Sequence, residues 1–318
     1  ADLEKQAALH GVELSVTDAV PTLENASLAA GCIGVSILGQ GCIDAALLDA
    51  YHALGIRYLS TRTIGYDHID LDHARSIGLR VCNASYAPNG VADFTVMMIL
   101  MCLRHYKQAL WRGQVNDFSL TGLQGREMKD LTIGIIGTGR IGAQVARNLS
   151  GFGCRILAYD LRRNPAVEPQ VTYVDFDTLL AQSDVITLHM PLLDSNRHII
   201  NRESIAKMRD GVVIVNCSRG ELADIEALIE GIETGKIGAL GMDTVEGDEG
   251  IIHADHRVDI LPNRNWFYLH QFRNVIMTQH MAFYTDAAVS SMVDCGIGGI
   301  CQMAAGESCP TELTGPVQ

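Results

Sequence analysis

The sequence has little of what a nucleic-acid-binding or disulfide-linked protein needs. Its 24 Lys and Arg residues face 37 Asp and Glu in 318 residues, a formal net charge of −13. Such an acidic chain is a poor partner for phosphates, so we expect no nucleic-acid binding. No Cys-x-x-Cys pair occurs, and the nine cysteines, an odd number, are scattered. This pattern predicts reduced, buried thiols in a cytoplasmic protein, and neither a disulfide framework nor a zinc site.

Long apolar runs are missing as well. The most apolar stretch, VMMILMCL at 96–103, continues directly into RHYKQ, whereas a membrane helix needs roughly 20 apolar residues. We therefore expect no membrane segment and predict one long buried helix over 88–114. Apolar residues are 47% of the chain, enough for a sizeable core. The length favours two domains.

The chain does contain a regular alternation of strand-like and helix-like runs. Helical patterns at 143–153, 203–208 and 224–235 separate apolar runs of strand length, an arrangement that predicts a parallel, doubly wound sheet. The strand-like runs of this middle part are LTIGIIG (131–137), CRILAYD (154–160), DVITLHMPL (184–192), GVVIVNCS (211–218), IGALGMD (237–243) and NVIMTQH (274–280). A smaller α/β unit is predicted before it, with strands near 31–38, 56–61 and 79–83.

A glycine-rich turn follows the first of these strands. GTGRIG at 137–142 is a Gly-x-Gly-x-x-Gly that ends a strand and opens a helix. Gly137, Gly139 and Gly142 would let the backbone approach a pyrophosphate at the helix N-terminus. Asp160 ends the next strand, where a carboxylate accepts hydrogen bonds from ribose hydroxyls and favours NAD over NADP. Arg162 and Arg163 nearby weaken that preference, and a turn that only packs helix on sheet is the alternative.

Two charged side chains follow later strands. Arg219 comes after GVVIVNCS and His280 after NVIMTQ, so both lie at the carboxyl edge of the sheet, where ligands bind in open α/β folds. The planar guanidinium suits a carboxylate, and a histidine can deliver a proton. A surface ion pair for Arg219 and a purely structural histidine are the alternatives.

The third such strand ends in MDTVEGDEG (242–250), with four carboxylates in seven positions. The stretch fits a solvated acidic turn, a cation site or a catalytic acid beside a histidine. Arg, His and a carboxylate at neighbouring strand ends, beside a nicotinamide, would suit hydride transfer at a 2-oxo acid. A metal site is not expected, because the acids are split between strand end and turn.

The sequence resembles the D-isomer-specific 2-hydroxyacid dehydrogenases over nearly its whole length. Within that family it is most similar to the D-lactate, vancomycin-resistance lactate and aromatic-lactate branches. The motifs that carry the resemblance are TRTIGYDHID (61–70), YAPNGVAD (86–93), LTIGIIGTGRIG (131–142), LHMPL (188–192), NCSRGELAD (216–224), GALGMDTVEGD (238–248) and TQHMAFYTDAA (278–288).

The resemblance implies a catalytic arginine at Arg219 and a catalytic histidine at His280. The family's catalytic acid, usually Glu, falls on Asp248, whose side chain is one methylene shorter. It must then lie closer to His280 or reach it through water. Glu249 is the neighbouring alternative for this acid, but its side chain is expected to point elsewhere, and both Glu246 and Glu249 are interpreted as solvated. Gln279 stands where the family usually has Pro, which would loosen the backbone at His280.

The resemblance also implies binding residues. Backbone N–H groups of Ile64 and Gly65 would hold the substrate carboxylate, with Tyr86 and Phe283 lining the substrate site or, alternatively, only packing. Leu38 suggests room for a side chain larger than methyl. Asp243 would lie near the nicotinamide amide. The remaining implied cofactor contacts are Arg140, Ile141, His189, Pro191, Asn196 and Cys217.

The fold implied by the family has two Rossmann-like, doubly wound parallel-sheet domains in the α/β class. The smaller, substrate domain is discontinuous and comprises residues 1–86 and 285–318, and residues 87–284 form the NAD-binding domain. A homodimer is expected. The family's opening strand is absent, so the natural chain is expected to begin upstream. The expected activity is reduction of pyruvate or a larger, aromatic 2-oxo acid to the (R)-2-hydroxy acid; an NAD(H)-sensing, corepressor-like binding protein is the alternative.

Overall fold

The computed structural model describes residues 2–39, 41–261 and 263–315. The chain forms two compact units, a smaller one of residues 1–87 and 284–318 and a larger one of residues 88–283. Both are α/β units built on parallel sheets.

The smaller unit contains a three-stranded parallel sheet in the order β1-β2-β3. Its apolar side carries residues such as Ile37, Leu59 and Val81, which are buried in a core with the first short helices. The elements are α1 (Asp2–His10), β1 (Gly34–Ile37), α2 (Ala45–Ala53), β2 (Tyr58–Thr61), α3 (Leu71–Ser76), β3 (Arg80–Cys82) and α11 (Asp286–Ala304).

Helix α11 covers the other side of this sheet. Glycines make the close approach possible: a Cβ on Gly296 would lie 2.8 Å from Arg62, and one on Gly299 would lie 2.6 Å from the Cys82 sulfur. By length and composition α11 could also cross a membrane, with 19 residues and a mean hydropathy of 1.2, but 44% of it is buried inside the fold. A core helix meets the same criteria.

The chain returns to this sheet after α11. Residues 309–314 run antiparallel to β3, with Leu313 N donating to Val81 O at 2.8 Å and Asn83 N to Thr311 O at 3.1 Å. Arg80 donates to both carboxylate oxygens of Glu312, at 2.8 and 2.6 Å. The C-terminal segment is therefore part of the smaller unit's sheet structure.

The larger unit contains seven parallel strands in the order β10-β9-β8-β7-β4-β5-β6. The chain winds from β4 towards β6 and then, from β7, towards the opposite edge, as the alternating pattern predicts. Its elements are α4 (Asn89–Leu103), α5 (Tyr106–Gln114), β4 (Thr132–Ile136), α6 (Arg140–Ser150), β5 (Arg155–Tyr159), β6 (Thr172–Tyr173), α7 (Phe176–Gln182), β7 (Val185–Leu188), α8 (Arg202–Lys207), β8 (Val212–Asn216), α9 (Ile225–Glu233), β9 (Ile237–Met242), α10 (Arg264–Gln271) and β10 (Val275–Met277).

Helices cover both faces of this sheet. Successive strand residues point to opposite faces, and Ile186, Ile214 and Leu240 face a core formed with α7, α8, α9 and α10. On the other face α4 packs against β8, β9 and α6. The central strands β4, β7 and β8 are buried at every residue, as expected for a parallel sheet covered on both sides.

The prediction of one helix over 88–114 is wrong. The helix breaks at Arg104 and His105, and His105 has a left-handed backbone with φ +50°. The end of α4 is capped from elsewhere in the chain: Arg126 N donates to Leu103 O at 3.1 Å, and His105 Nε2 lies 3.1 Å from Gln124 O. These partners lie about twenty residues away in the chain, so the helical pattern alone gave no sign of them.

Candidate active site

The three glycines of the turn differ in what surrounds them. A Cβ on Gly142 would lie 1.9 Å from the Gly137 carbonyl oxygen, and one on Gly137, which has φ +92°, would lie 2.5 Å from the His189 oxygen. Both glycines are thus required for packing. Gly139, at the N-terminus of α6, would have no atom within 4 Å of its Cβ. The fold leaves open space there, as a turn that admits a dinucleotide pyrophosphate requires.

Arg140 and Ile141 form the first turn of α6 beside this space. Asp160 lies at the end of β5 and is half-buried. Its carboxylate accepts from Thr138 N at 2.6 Å, from Thr138 Oγ1 at 3.1 Å and from Arg162 N at 3.0 Å. The acid is therefore fixed against the glycine turn.

The segment after β7 carries three predicted cofactor contacts. His189 Nε2 lies 2.9 Å from Thr187 Oγ1, and its buried Nδ1 has no hydrogen-bond partner among the described residues. Burial lowers the pKa of His189 to about 3, so the ring is neutral. Asn196 instead folds its own loop, donating to Pro191 O and accepting from Leu193 N, each at 2.8 Å.

Hydrogen bonds from side chains to carbonyl oxygens hold the turn after β8, which carries Arg219. Asn216 Nδ2 donates to Arg219 O at 2.7 Å, and Ser218 Oγ donates to Met190 O at 2.6 Å, which ties this turn to the segment after β7. A Cβ on Gly220 would lie 2.3 Å from the Val245 backbone, so the arginine turn packs directly against the acidic turn after β9. Cys217 is buried, and burial raises the pKa of its thiol.

Asp243 joins two strand ends. It is 1% exposed and accepts hydrogen bonds from Thr278 Oγ1 at 2.5 Å, from Met281 N at 2.9 Å and from Ala282 N at 2.9 Å. These donors lie on both sides of His280. The family resemblance implies a place for Asp243 near the nicotinamide; in the structure its carboxylate fixes the histidine segment.

The acidic turn is less solvated than predicted. Glu246 pairs with His198 at 2.6 Å and is half-buried, so its interpretation as a solvated acid is wrong; His198 lies 48 residues away and no local pattern indicated it. Glu249 is exposed. Asp248 accepts from Val245 N at 3.2 Å, within its own turn. Burial raises the pKa of Asp248 to about 6, and the negative charges of Glu221 and Glu249 act in the same direction.

His280 lies in a small group of rings. Its backbone is left-handed, with φ +52°. The Phe283 ring centroid is 6.3 Å from that of His280, and His253 is 6.1 Å from His280 and 6.4 Å from Phe283. His253 was not among the predicted site residues, because it lies in an irregular loop, with no strand end or motif to mark it.

The predicted substrate residues Ile64, Gly65 and Tyr86 belong to the smaller unit. Thr63 Oγ1 donates to Gly65 O at 2.6 Å and Asn83 Nδ2 to Ile64 O at 2.7 Å. These bonds occupy the carbonyl oxygens of the loop. In the described part of the chain no hydrogen bond uses the N–H of Ile64 or Gly65. Tyr86 is half-buried and Leu38 is 46% exposed.

No group of three or more His, Cys, Asp or Glu side chains is arranged to hold a metal ion within residues 2–39, 41–261 and 263–315. The four acids of MDTVEGDEG are instead divided among a hydrogen-bonded clamp, an ion pair with His198, a half-buried turn and solvent.

Comparison with known proteins identifies the class. Residues 96–282 match the family described as D-isomer specific 2-hydroxyacid dehydrogenase, NAD binding domain. An aromatic 2-oxoacid reductase of Clostridium sporogenes is 43% identical over 287 residues, 90% of this chain and 86% of that protein.

Two solved structures match the whole fold. The apo-structure of D-lactate dehydrogenase from Escherichia coli has a TM-score of 0.87 at 36% identity, covering 98% of this chain and 95% of that one. The NAD-complexed D-isomer specific 2-hydroxyacid dehydrogenase from Lactobacillus delbrueckii ssp. bulgaricus has a TM-score of 0.82 at 30% identity, covering 98% and 96%. This chain therefore belongs to the D-isomer specific 2-hydroxyacid dehydrogenase family, and it is an oxidoreductase with two Rossmann-like domains.

Proposed function

We propose that this chain catalyses the reversible, NAD-dependent reduction of a 2-oxo acid to the (R)-2-hydroxy acid. One observation carries the proposal. The adjacent parallel strands β8, β9 and β10 end at one sheet edge, and they are followed there by Arg219, by the acids Asp243 and Asp248, and by His280. The glycine turn after β4 opens at the same edge, where ligands bind in this type of sheet.

Each side chain has a role that its chemistry suits. NADH, when bound, supplies the hydride. Arg219 holds the oxo acid through its planar guanidinium, and His280 donates a proton to the carbonyl oxygen as it is reduced. Asp248 is assigned as the acid that favours the charged form of His280. With a pKa of about 6 it is largely ionised at neutral pH.

We propose that the smaller unit binds the substrate carboxylate. The carbonyl oxygens of Ile64 and Gly65 accept hydrogen bonds from Asn83 and Thr63. The N–H groups of Ile64 and Gly65 are the proposed donors to the anion. Tyr86 and Phe283 are proposed substrate contacts, as the family resemblance implies. The smaller unit is thus the proposed substrate domain and the larger unit the NAD domain.

NAD is the proposed cofactor, in preference to NADP. The support is the position of Asp160, which is fixed beside the glycine turn and would repel a 2′-phosphate. The guanidinium of Arg163, which could have favoured a phosphate, lies 5.5 Å above the Tyr173 ring.

An aromatic 2-oxo acid is proposed as the better substrate. The aromatic 2-oxoacid reductase of Clostridium sporogenes is 43% identical over 90% of this chain, and Leu38 is smaller than an aromatic residue that would narrow the pocket. Phenylpyruvate should therefore give a higher kcat/KM than pyruvate.

A homodimer is proposed as the assembly. Helix α5 and the segment after it expose apolar side chains at high fractions, including Trp111 at 65%, Phe118 at 79% and Leu120 at 83%. Several large exposed apolar side chains in one segment are typical of a protein interface, and a second copy is the proposed occupant. The cytoplasm is the proposed location, because all nine cysteines are free and such thiols persist in a reducing compartment.

The test is NADH oxidation by the purified protein with phenylpyruvate and pyruvate. His280→Ala should lower kcat about 10²-fold, as expected for loss of a general acid. Arg219→Ala should chiefly raise KM for the oxo acid. His256→Ala and Arg147→Ala are matched controls outside the site and should behave as wild type. NADH binding without turnover of either acid would instead favour the NAD(H)-sensing alternative.

A further inference from the structure

His253 belongs to the loop that continues from the acidic turn. Ile251 N and Ile252 N both donate to Asp248 O, at 3.0 and 3.2 Å, and Ile251 is buried. His253 then takes a left-handed backbone, with φ +62°. The loop is thus anchored at Asp248 and reverses at His253, which directs this side chain back towards the segment after β10.

The His253 side chain contacts the backbone of the proposed proton donor. Its Nε2 lies 3.3 Å from the carbonyl oxygen of His280, a long hydrogen bond in which the oxygen accepts. Its ring lies near both His280 and Phe283, steeply inclined to Phe283 at 76°. One side chain therefore contacts the main chain of His280 and the two rings assigned to catalysis and substrate.

The backbone at His280 needs such support. A left-handed conformation is unfavourable for a residue other than glycine and persists only where neighbours hold it. Asp243 fixes the residues on either side, Thr278 and Met281. The exposed Gln279 leaves φ unrestricted where a proline would fix it. His253 supplies a contact at the His280 peptide itself.

We propose that His253 is a positioning residue that holds the His280 backbone and orients its ring for proton transfer. The inference rests on the proposed role of His280 as proton donor. The contact with the His280 carbonyl oxygen requires a donor nitrogen. The carbon ring alone would supply only the packing against Phe283, so the two contributions can be separated by substitution.

Three variants separate them. His253→Phe keeps a ring and removes the donor, whereas His253→Gln places an amide N–H at the same number of bonds from Cα. His256→Phe, three residues along the same loop, is the matched control. We expect His253→Phe to lower kcat about tenfold, since small misplacements of a reacting group are costly, with the NADH Kd and the urea midpoint unchanged. His253→Gln should recover kcat to within about threefold of wild type by the same reasoning.

The outcomes are decisive. Equal kcat values in wild type, His253→Phe and His253→Gln would overturn the positioning role, and so would a loss of kcat matched by a lower urea midpoint, which indicates a folding role. His280→Ala, assayed in parallel, tests the proposed function separately. If His280→Ala is slow and His253→Phe is not, only this inference fails; if His280→Ala is as fast as wild type, the proton-donor assignment fails first.

Discussion

The glycine turn allows a direct test of whether GTGRIG binds a nucleotide or only packs a helix on the sheet. Alanine at Gly142 would place a Cβ 1.9 Å from the Gly137 oxygen, so backbone atoms must move by about 1 Å or more. Overpacking of this kind destabilises by typically 1–3 kcal/mol, and we expect Gly142→Ala at or above the upper end of that range. Alanine at Gly139 meets no atom within 4 Å, and its φ of −62° suits any residue.

Both variants should bind NADH more weakly, and urea unfolding should distinguish them. Gly142→Ala should lose stability in urea unfolding and NADH binding together. Gly139→Ala should unfold within about 0.5 kcal/mol of wild type, as surface substitutions do, yet bind NADH about tenfold more weakly, because its methyl group takes space needed by the pyrophosphate; a tenfold change corresponds to about 1.4 kcal/mol. Calorimetric titration with NADH measures that difference. Wild-type NADH affinity in a stably folded Gly139→Ala would refute the reasoning.

Two further predictions concern the acids. Asp243→Asn should destabilise the fold by about 2–3 kcal/mol, because an amide N–H₂ would face the Ala282 N–H that now donates to the carboxylate; urea unfolding measures this, and a change as small as that of Glu249→Gln, an exposed control, would contradict it. Burial raises the pKa of Asp248 to about 6, so folding favours its protonated form. The favourable contribution of Asp248 to the free energy of unfolding is present below about pH 4 and is lost as pH rises through 6. Asp248→Asn, which mimics the protonated acid, should match wild type in urea at pH 4 and be the more stable of the two at pH 8; equal stability at both values would argue against a buried Asp248.

The sequence predicted the fold and the sheet edge well because both depend on local pattern. Strand-length apolar runs separated by helical spacing specify a parallel sheet, and in such a sheet all strands end at one edge. That rule alone predicts Arg219 and His280 at the same sheet edge, after the strands β8 and β10 that flank β9. The resemblance to a known family then assigned roles that spacing could not.

The interactions that shape the site depended on distant partners. Glu246 pairs with His198 and Asp243 clamps the segment around His280, contacts that join residues 48 and more than 30 positions apart. The break at His105 has the same origin, because Arg126 caps the end of α4. Such partners are chosen by the packing of strands and turns, which one-dimensional periodicity does not report.

The return of residues 309–314 to β3 has a consequence for the order of synthesis. On a ribosome the larger unit, residues 88–283, is complete before residues 309–314 are made. The smaller unit is completed later, because Arg80 and Val81 find their partners Glu312 and Leu313 only after the whole larger unit has been made. A chain cut short before residue 309 would keep all ten strands found among the described residues and still leave the sheet of the smaller unit unfinished.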